Sequence, residues 1–347
     1  MLLSENLEFS FKLALHLPTS PKTRANTSMR LDKMPPADPV AHCPVCGHER
    51  AQEWLQARDR FHGRLERYSL VRCSACSLVW LSNAPRVEEM HRHYTDSYHR
   101  LISAAAETSP HRWRGHREAL LRHKQSGALL DLGCSSGAFL GFLKGGSWKL
   151  YGIEMSPECA KRAKIRTGAD VFVGDILNAP FPSESFEAIT CFDVLEHLYE
   201  PLQIMAKVRE WLKPGGIFYV QVPNVDGAEA RVFGSYWQGL ELPRHLFHYS
   251  PASLTLLARS AGLKKVSLET RRNPAVGTGL RYIGDDIFGT LGIRRTPVAY
   301  RGEAGLPWRA ARKVVRMTVL RALLAMGPLL GEGESIHAIF QKDEAAR

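Results

Sequence analysis

Residues 129–140 read "LLDLGCSSGAFL". Leu129 to Leu132 close an apolar run, Gly133 to Gly137 carry turn formers, and Ala138 to Leu140 restart an apolar pattern. This predicts a strand that runs through a tight turn into a helix. Gly133 lets the chain bend sharply, and Gly137 lets the backbone approach a ligand closely. In open α/β sheets, ligands sit beyond the carboxyl ends of the strands, where such a turn lies. Ser135 and Ser136 stand where a dinucleotide fingerprint places glycine. The G-x-G-x-x-G signature is therefore missing, which speaks against a nicotinamide oxidoreductase.

Outward from this turn, short apolar runs alternate with helical segments. The runs are "ALLDLG", "LYGIEM", "DVFVGD", "FEAITCF" and "GIFYVQVP", with "KKVSLETR" and "ESIHAIFQK" further on. Between them lie "GAFLGFLKGG", "SPECAKRAKIRTG", "PLQIMAKVREWLKPGG" with its Pro-Gly-Gly stop, and "SPASLTLLARSAGL" with a Ser250 cap and a Gly262 stop. Strands apolar on both faces and separated by helices predict a Rossmann-like, seven-stranded, mostly parallel sheet with helices on both faces. This α/β domain spans 127–347, with an insertion at about 273–333 before the last strand. Ahead of it come a flexible tail (1–41), a cysteine-paired segment (42–81) and a His- and Arg-rich connector (82–126) in which "HRWRGHREALLRHK" predicts a helix.

The chain has 347 residues and a formal net charge of +11, which favours acidic partners without choosing among them. No apolar run is long enough to span a bilayer (about 18 residues). The opening "MLLSENLEFSFKLALHLPTS" has acidic first charges (Glu5, Glu8) and is interrupted by Lys12 and His16, so it does not read as a signal peptide. Met29 and Met34 are alternative natural starts to Met1. In "PWRAARKVVRMTVLRALLAMG", Arg309, Arg312, Lys313 and Arg316 fall on one helical face, opposite Val315, Val319, Ala322, Leu323 and Met326. Such a helix near 308–326 packs on its own domain with a solvated basic face, or lies at an anionic membrane surface or a phosphate-bearing substrate.

Four of the seven cysteines form the pairs Cys43/Cys46 and Cys73/Cys76. Without a secretion signal, a reducing cytoplasm and a metal site fit these pairs better than disulfides. Together they supply four thiolates to a tetrahedral, structural Zn²⁺, with free thiols or a redox pair as the alternative reading. "RLERYSLVRC" reads as a strand entering the second pair, as a small zinc ribbon requires.

Three successive strand ends carry acids: Asp131 before the turn, Glu154 in "YGIEMS" and Asp175 in "FVGDI". Glu154 is placed to accept hydrogen bonds from ribose hydroxyls, and Asp175 to meet an adenine amino group. Acids here suit a positively charged sulfonium ligand better than a phosphate.

These segments, with "YGIEMSPECAKRA", "FVGDILNAPFP", "FEAITCFDVLEHLYEP" and "LKPGGIFYVQVPN", resemble in order and spacing the motifs of class I S-adenosylmethionine-dependent methyltransferases, over roughly 127–263. The resemblance implies that the first loop (Asp131, Gly133, Cys134, Gly137) holds the methionine moiety. It implies that Glu154 with Met155 holds the ribose, and that Asp175 and Ile176 hold the adenine end, with Asp193 completing the cofactor site. Ser135 replaces the family's usual middle glycine. The paired cysteines in front, followed by "VRCSACSLVWLSNAPRVEEMHRHYTDSYH", resemble a subgroup acting on small molecules, sugars or other glycan precursors. That likeness brings Tyr94 and Tyr98 towards the acceptor, where they line the pocket or pack the ribbon against the main domain.

Methyl transfer to a hydroxyl or carbon acid needs the acceptor aligned and a proton removed. "DVLEHLYEP" offers Glu196 and His197, and "WQGLELPRHLFHYS" offers His245 as first choice and His248 as second, since an imidazole of near-neutral pKa suits a base. Trp237 and Arg244 are further pocket-lining candidates. The expected activity is methylation of oxygen or carbon on a small-molecule, sugar or lipid-linked acceptor. An RNA methyltransferase fits the net charge, but the basic residues are scattered and no RNA-binding aromatic motif is evident. A non-catalytic binding protein that kept the fold is the remaining alternative.

Overall fold

Apolar strands buried on both faces need helices above and below, and this requirement sets the architecture. A computed structural model describes residues 42–95, 97–98, 110–272, 276–290 and 333–344. The tail and the basic helix near 308–326 lie outside the described residues.

The first strands are β1 (Ala51–Arg58), β2 (Arg67–Cys73) and β3 (Val79–Leu81). The main sheet uses β4 (Gly127–Leu132), β5 (Trp148–Glu154), β6 (Asp170–Val173), β7 (Phe186–Phe192) and β8 (Leu212–Pro223). A two-residue strand β9 (Phe247–His248) follows, then β10 (Leu263–Arg271) and β11 (Ser335–Lys342). The seven-stranded sheet has the order β10-β11-β8-β7-β4-β5-β6. All seven are strands the sequence predicts. The pairs β4–β5, β5–β6, β4–β7 and β7–β8 are parallel, whereas β11 runs antiparallel to both β8 and β10.

Leu129, Leu130 and Leu132 of β4, and Ala188, Ile189 and Cys191 of β7, are fully buried. Each buried large aliphatic side chain contributes about 1.5–3 kcal/mol, so the central strands are the most strongly held part of the domain. The chain leaves β4 towards β5 and β6, then returns to place β7 on the other side of β4. That reversal opens a crevice beyond the carboxyl ends of β4, β5 and β7.

The helices follow their sequence signals. Pro157–Thr167 starts at Ser156, whose hydroxyl accepts from the Cys159 amide, and ends at Gly168 with φ 75°. Pro251–Ser260 begins with a reciprocal Ser250–Ser253 capping box. The connector helix is Pro110–Leu121.

The four-stranded sheet has the order β1-β2-β3-β9. Its last strand belongs to the loop after β8, far along the chain: Val79 pairs with His248 and Trp80 with Phe247. The sequence places the ribbon at 42–81 and gives no sign of this fourth strand, because a two-residue strand has no periodicity to read. No described helix is long and apolar enough to cross a membrane.

Candidate active site

At the end of β4 the loop is held in left-handed conformations: Gly133 has φ 68°, Ser135 φ 49° and Gly137 φ 74°. A Cβ on Gly133 would come within 2.5 Å of Val194 Cγ2, so the residue is glycine for space as well as conformation. The missing Cβ of Gly137 would meet Ala163 of the neighbouring helix at 3.0 Å, so glycine there also lets helix Pro157–Thr167 close on the loop. The Cys134 side chain packs against Gly152.

Glu154 fastens the loop. Its Oε2 accepts from the Ser135 amide at 2.9 Å and its Oε1 from the Ser156 amide at 2.9 Å. Asp131 lies beneath, fully buried, with Thr190 donating to Oδ1 at 2.6 Å. Burial pushes its carboxyl up to about 7, against the Thr190 hydrogen bond and with the Glu154 charge adding to the rise. Asp175 is exposed and caps a short 3₁₀ turn, accepting from the Leu177 amide at 2.7 Å. Ile176 is buried beside it, and Met155 is largely exposed.

Asp193 has φ 55° and is gripped from two sides. Arg112 of the connector helix forms an ion pair with Oδ2, and Gln221 Nε2 donates to Oδ1 at 2.6 Å. Burial works against the Asp193 charge, but Arg112 holds the carboxyl below its usual range. The connector helix thus covers this edge of the crevice, with Trp113 packed on Phe139 and Phe192. Sequence reasoning missed Arg112, Thr190 and Gln221, since no spacing relates them to Asp193 or Asp131.

Next to Asp193 a second cluster gathers Glu196, His197 and His245. Glu196 is 0% exposed and neither of its carboxylate oxygens has a hydrogen-bond partner. Burial pushes its carboxyl well above the usual range, and the Asp193 charge adds to this. His245 Nδ1 lies 2.8 Å from the Gly239 carbonyl and His197 Nδ1 lies 3.0 Å from the Arg244 carbonyl. A carbonyl only accepts, so both rings carry their proton on Nδ1. Tyr94 OH is 3.1 Å from His197 Nδ1. The two rings meet edge to face with centroids 4.5 Å apart.

The near-neutral imidazole expected of His245 is not what the structure shows. Burial drives it down to about 3, and drives His248 down to about 4. His248 sits on β9 with Nε2 3.2 Å from the Leu240 carbonyl, and Trp237 is buried against it.

Arg244 is fully buried and joins this cluster to the ribbon. Its guanidinium lies 3.8 Å from Asp59 and 3.3 Å from Glu241, and stacks over Phe61 and Tyr98. Asp59 is also buried. Burial opposes its charge, yet His62, His93 and Arg244 hold its carboxyl well below the usual range. The sequence gives no hint of Asp59 or His62, which come from a distant segment, whereas Glu241 lies only three residues before Arg244.

In the ribbon, two turns present the cysteines. The Gly47 amide donates to the Cys43 carbonyl at 2.9 Å, and the Ser77 amide to the Cys73 carbonyl at 3.1 Å. Residues Gly47 and Ser77 are both left-handed. The Cys43–Cys76 and Cys46–Cys73 sulfurs are 3.6 and 3.5 Å apart, and all four lie within 4.8 Å of one another. Tetrahedral zinc with Zn–S of about 2.3 Å sets its sulfurs about 3.8 Å apart. No disulfide joins these four cysteines, and the amides of Ala75 and Cys76 point at Cys73 Sγ. The donor set fits a zinc ion.

The strand order, the single antiparallel strand β11 and the acid-anchored loop at the switch point are the arrangement that the resemblance to class I methyltransferases implies. Consistently, residues 104–268 match the family model described as a methyltransferase domain. Among curated relatives, a ubiquinone biosynthesis O-methyltransferase of Xanthomonas axonopodis pv. citri is 30% identical over 150 residues, which are 39% of this chain and 62% of that protein. A probable S-adenosylmethionine-dependent methyltransferase of Mycolicibacterium smegmatis is 26% identical, over 42% of this chain and 55% of its own length. The chain thus spans little more than half the length of these relatives. Among solved structures, phosphoethanolamine N-methyltransferase 2 of Haemonchus contortus, in complex with S-adenosyl-L-methionine, has a TM-score of 0.48 at 15% identity, covering 77% of this chain and 62% of that one. The matched segment begins at residue 104, so it takes in the connector helix as well as β4 to β10.

Proposed function

We propose that this protein is an S-adenosylmethionine-dependent methyltransferase acting on a small-molecule or glycan-precursor acceptor, at oxygen or carbon. The observation that carries the reading is the Gly133–Gly137 loop fastened to Glu154 at the switch point, beside the buried cluster of Glu196, His197 and His245. S-Adenosylmethionine supplies a methyl group already activated by its sulfonium. Glu154 has a carboxylate at the position for the ribose hydroxyls, Asp175 lies at the adenine end, and the Gly133 to Gly137 backbone faces the methionine part. Glu154 places negative charge on the side where the sulfonium bears positive charge. Arg112, through its ion pair with Asp193, ties the connector helix to this edge of the crevice.

On the acceptor side, Glu196, His197 and His245 stand where the acceptor's proton must go. When the acceptor oxygen takes the methyl, its hydroxyl proton passes to this cluster, and the sulfonium leaves as a neutral thioether. Tyr94, hydrogen-bonded at His197, and Tyr98, stacked under Arg244, belong to the pocket wall. Relatives named as ubiquinone O-methyltransferases support an oxygen acceptor. In the ribbon, Cys43, Cys46, Cys73 and Cys76 hold structural Zn²⁺, and reduced thiols suit a cytoplasmic setting.

Calorimetric titration with S-adenosylmethionine, with NADH as control, tests the reading. Micromolar binding of S-adenosylmethionine alone is expected, weakened at least tenfold by Glu154→Ala. His245→Asn is expected to lower kcat by about 10²–10⁴-fold with cofactor affinity unchanged. A folded, zinc-loaded chain that does not bind S-adenosylmethionine would overturn the assignment in favour of a non-catalytic protein.

A further inference from the structure

Glu196 raises a chemical question of its own. Its carboxyl group is wholly buried, yet neither oxygen meets a donor. Buried carboxylates are paired or coordinate a metal, and here the neighbouring groups are two imidazoles. His245 Nε2 lies 4.0 Å from Glu196 Oε1. One ligand atom from each of Glu196, His197 and His245 lies within 4.8 Å of the others.

The hydrogen bonds of the two rings point the same way. The Nδ1–H groups of His245 and His197 are anchored on the Gly239 and Arg244 carbonyls. That anchoring leaves the Nε2 lone pair of each ring available. An imidazole whose far N–H is held by a backbone carbonyl is the usual second shell of a metal-bound histidine. Asp193, the other nearby acid, is already committed to Arg112 and Gln221. Glu241 Oε2, 3.7 Å from His245 Nε2, adds negative charge at the rim.

We infer that Glu196, His197 and His245 form a divalent transition-metal site that receives the acceptor through an oxygen donor. Two imidazoles and one carboxylate are a set that binds such ions while leaving coordination positions open. From separations of up to 4.8 Å, the three donors need to close by up to about 1–2 Å to reach the roughly 3–3.5 Å separations of ligands at 2.0–2.2 Å from one ion. A hydroxyl entering an open position is more acidic than a free hydroxyl, so it gives up its proton more readily when the methyl is transferred. The acceptor is then one that presents a hydroxyl, or two adjacent ones. Acceptor choice rests on the methyltransferase reading of the crevice, whereas the metal site does not.

The test uses the full chain with its ribbon loaded with zinc. Mn²⁺ is titrated in and followed by electron paramagnetic resonance, with elemental analysis of the dialysed protein. Soft thiolates favour zinc over manganese, so Mn²⁺ reports on the nitrogen–oxygen site. A second equivalent of metal per chain, manganese or zinc, is expected. It should be lost, or its affinity reduced at least tenfold, in both Glu196→Gln and His245→Ala, while Glu196→Asp retains binding. Thermal melts of each variant separate loss of the site from loss of the fold. A wild-type chain that holds only the ribbon zinc would overturn the inference, as would a second metal that all three variants retain. Calorimetry with S-adenosylmethionine on the same samples keeps the two readings apart. Cofactor binding without the second metal sinks the metal site alone, and metal without cofactor binding sinks the methyltransferase reading.

Discussion

Asp131 shows how one buried carboxyl makes stability depend on pH. It ends β4 fully buried, with one hydrogen bond from Thr190 and its carboxyl pushed up to about 7 by burial. A carboxyl whose folded pKa is raised favours the folded state most at low pH, and that stability is lost as pH rises through the folded value. Asp131→Asn keeps an acceptor for Thr190 but cannot ionise. Relative to wild type it should therefore stabilise the chain at pH 8, by on the order of 1–4 kcal/mol, with the gain shrinking as pH falls below about 7 and gone only near the ordinary carboxylate range, at about pH 4. Thermal melts across this range check it, and a gain independent of pH would refute the buried-charge account. Ser135 illustrates a different residue-scale point. It adopts φ 49° where the related motif usually has glycine, a conformation costing about 1–2 kcal/mol for an L-residue. Its amide is held by Glu154, and that bond offsets part of the cost.

At the scale of elements, β9 matters out of proportion to its two residues. It pairs with β3 of the ribbon, and the Leu81 amide donates to the Leu246 carbonyl at 3.0 Å. The Leu246 amide in turn donates to the Glu196 carbonyl at 2.8 Å. The strand that carries His248, next to His245, is therefore hung between the cysteine ribbon and the β7 loop. Removing zinc should release β9 while leaving β4 and β5 intact. Hydrogen exchange after treatment with a chelator is expected to rise over residues 245–250 and to stay slow over 127–132 and 148–154. Affinity for S-adenosylmethionine should change little, whereas KM for the acceptor should rise. Unchanged exchange at 245–250 would show that β9 is held by the main domain alone.

At the scale of the molecule, the ribbon and the α/β domain meet through a buried ion cluster. Asp59 and Arg244 are both 0% exposed and 3.8 Å apart, with His62 and His93 around them. Removing one partner of a buried pair leaves an uncompensated charge and typically costs 3–5 kcal/mol, whereas replacing both by apolar groups costs much less. Asp59→Leu and Arg244→Met should each lower Tm strongly, and the double variant should recover part of the loss. Strict additivity in that double-mutant cycle would show that the two charges do not support each other.

Local signals made much of this legible. The seven strands of the main sheet, the Ser156 and Ser250 caps, the glycine stops and the two cysteine turns all depend on residues close in sequence. Period, cap and turn chemistry act over a few residues, so they can be read from the chain. The acid at each strand end was legible for the same reason, because the end of a parallel strand is itself a local feature.

The partners of those residues were not legible. Arg112 reaches Asp193, Thr190 reaches Asp131, Asp59 reaches Arg244, and β9 completes a ribbon that began far earlier in the chain. The environment of His245 belongs here too: the sequence shows an imidazole, but only packing takes it out of water and lowers its affinity for a proton. The sequence by itself determined the sheet, the cofactor-type loop and the cysteine donor set, since these follow from residue type and short-range spacing. Only the tertiary structure decided which charges are buried together and which side chains share the acceptor cluster, because burial and long-range pairing are set by how the elements stack.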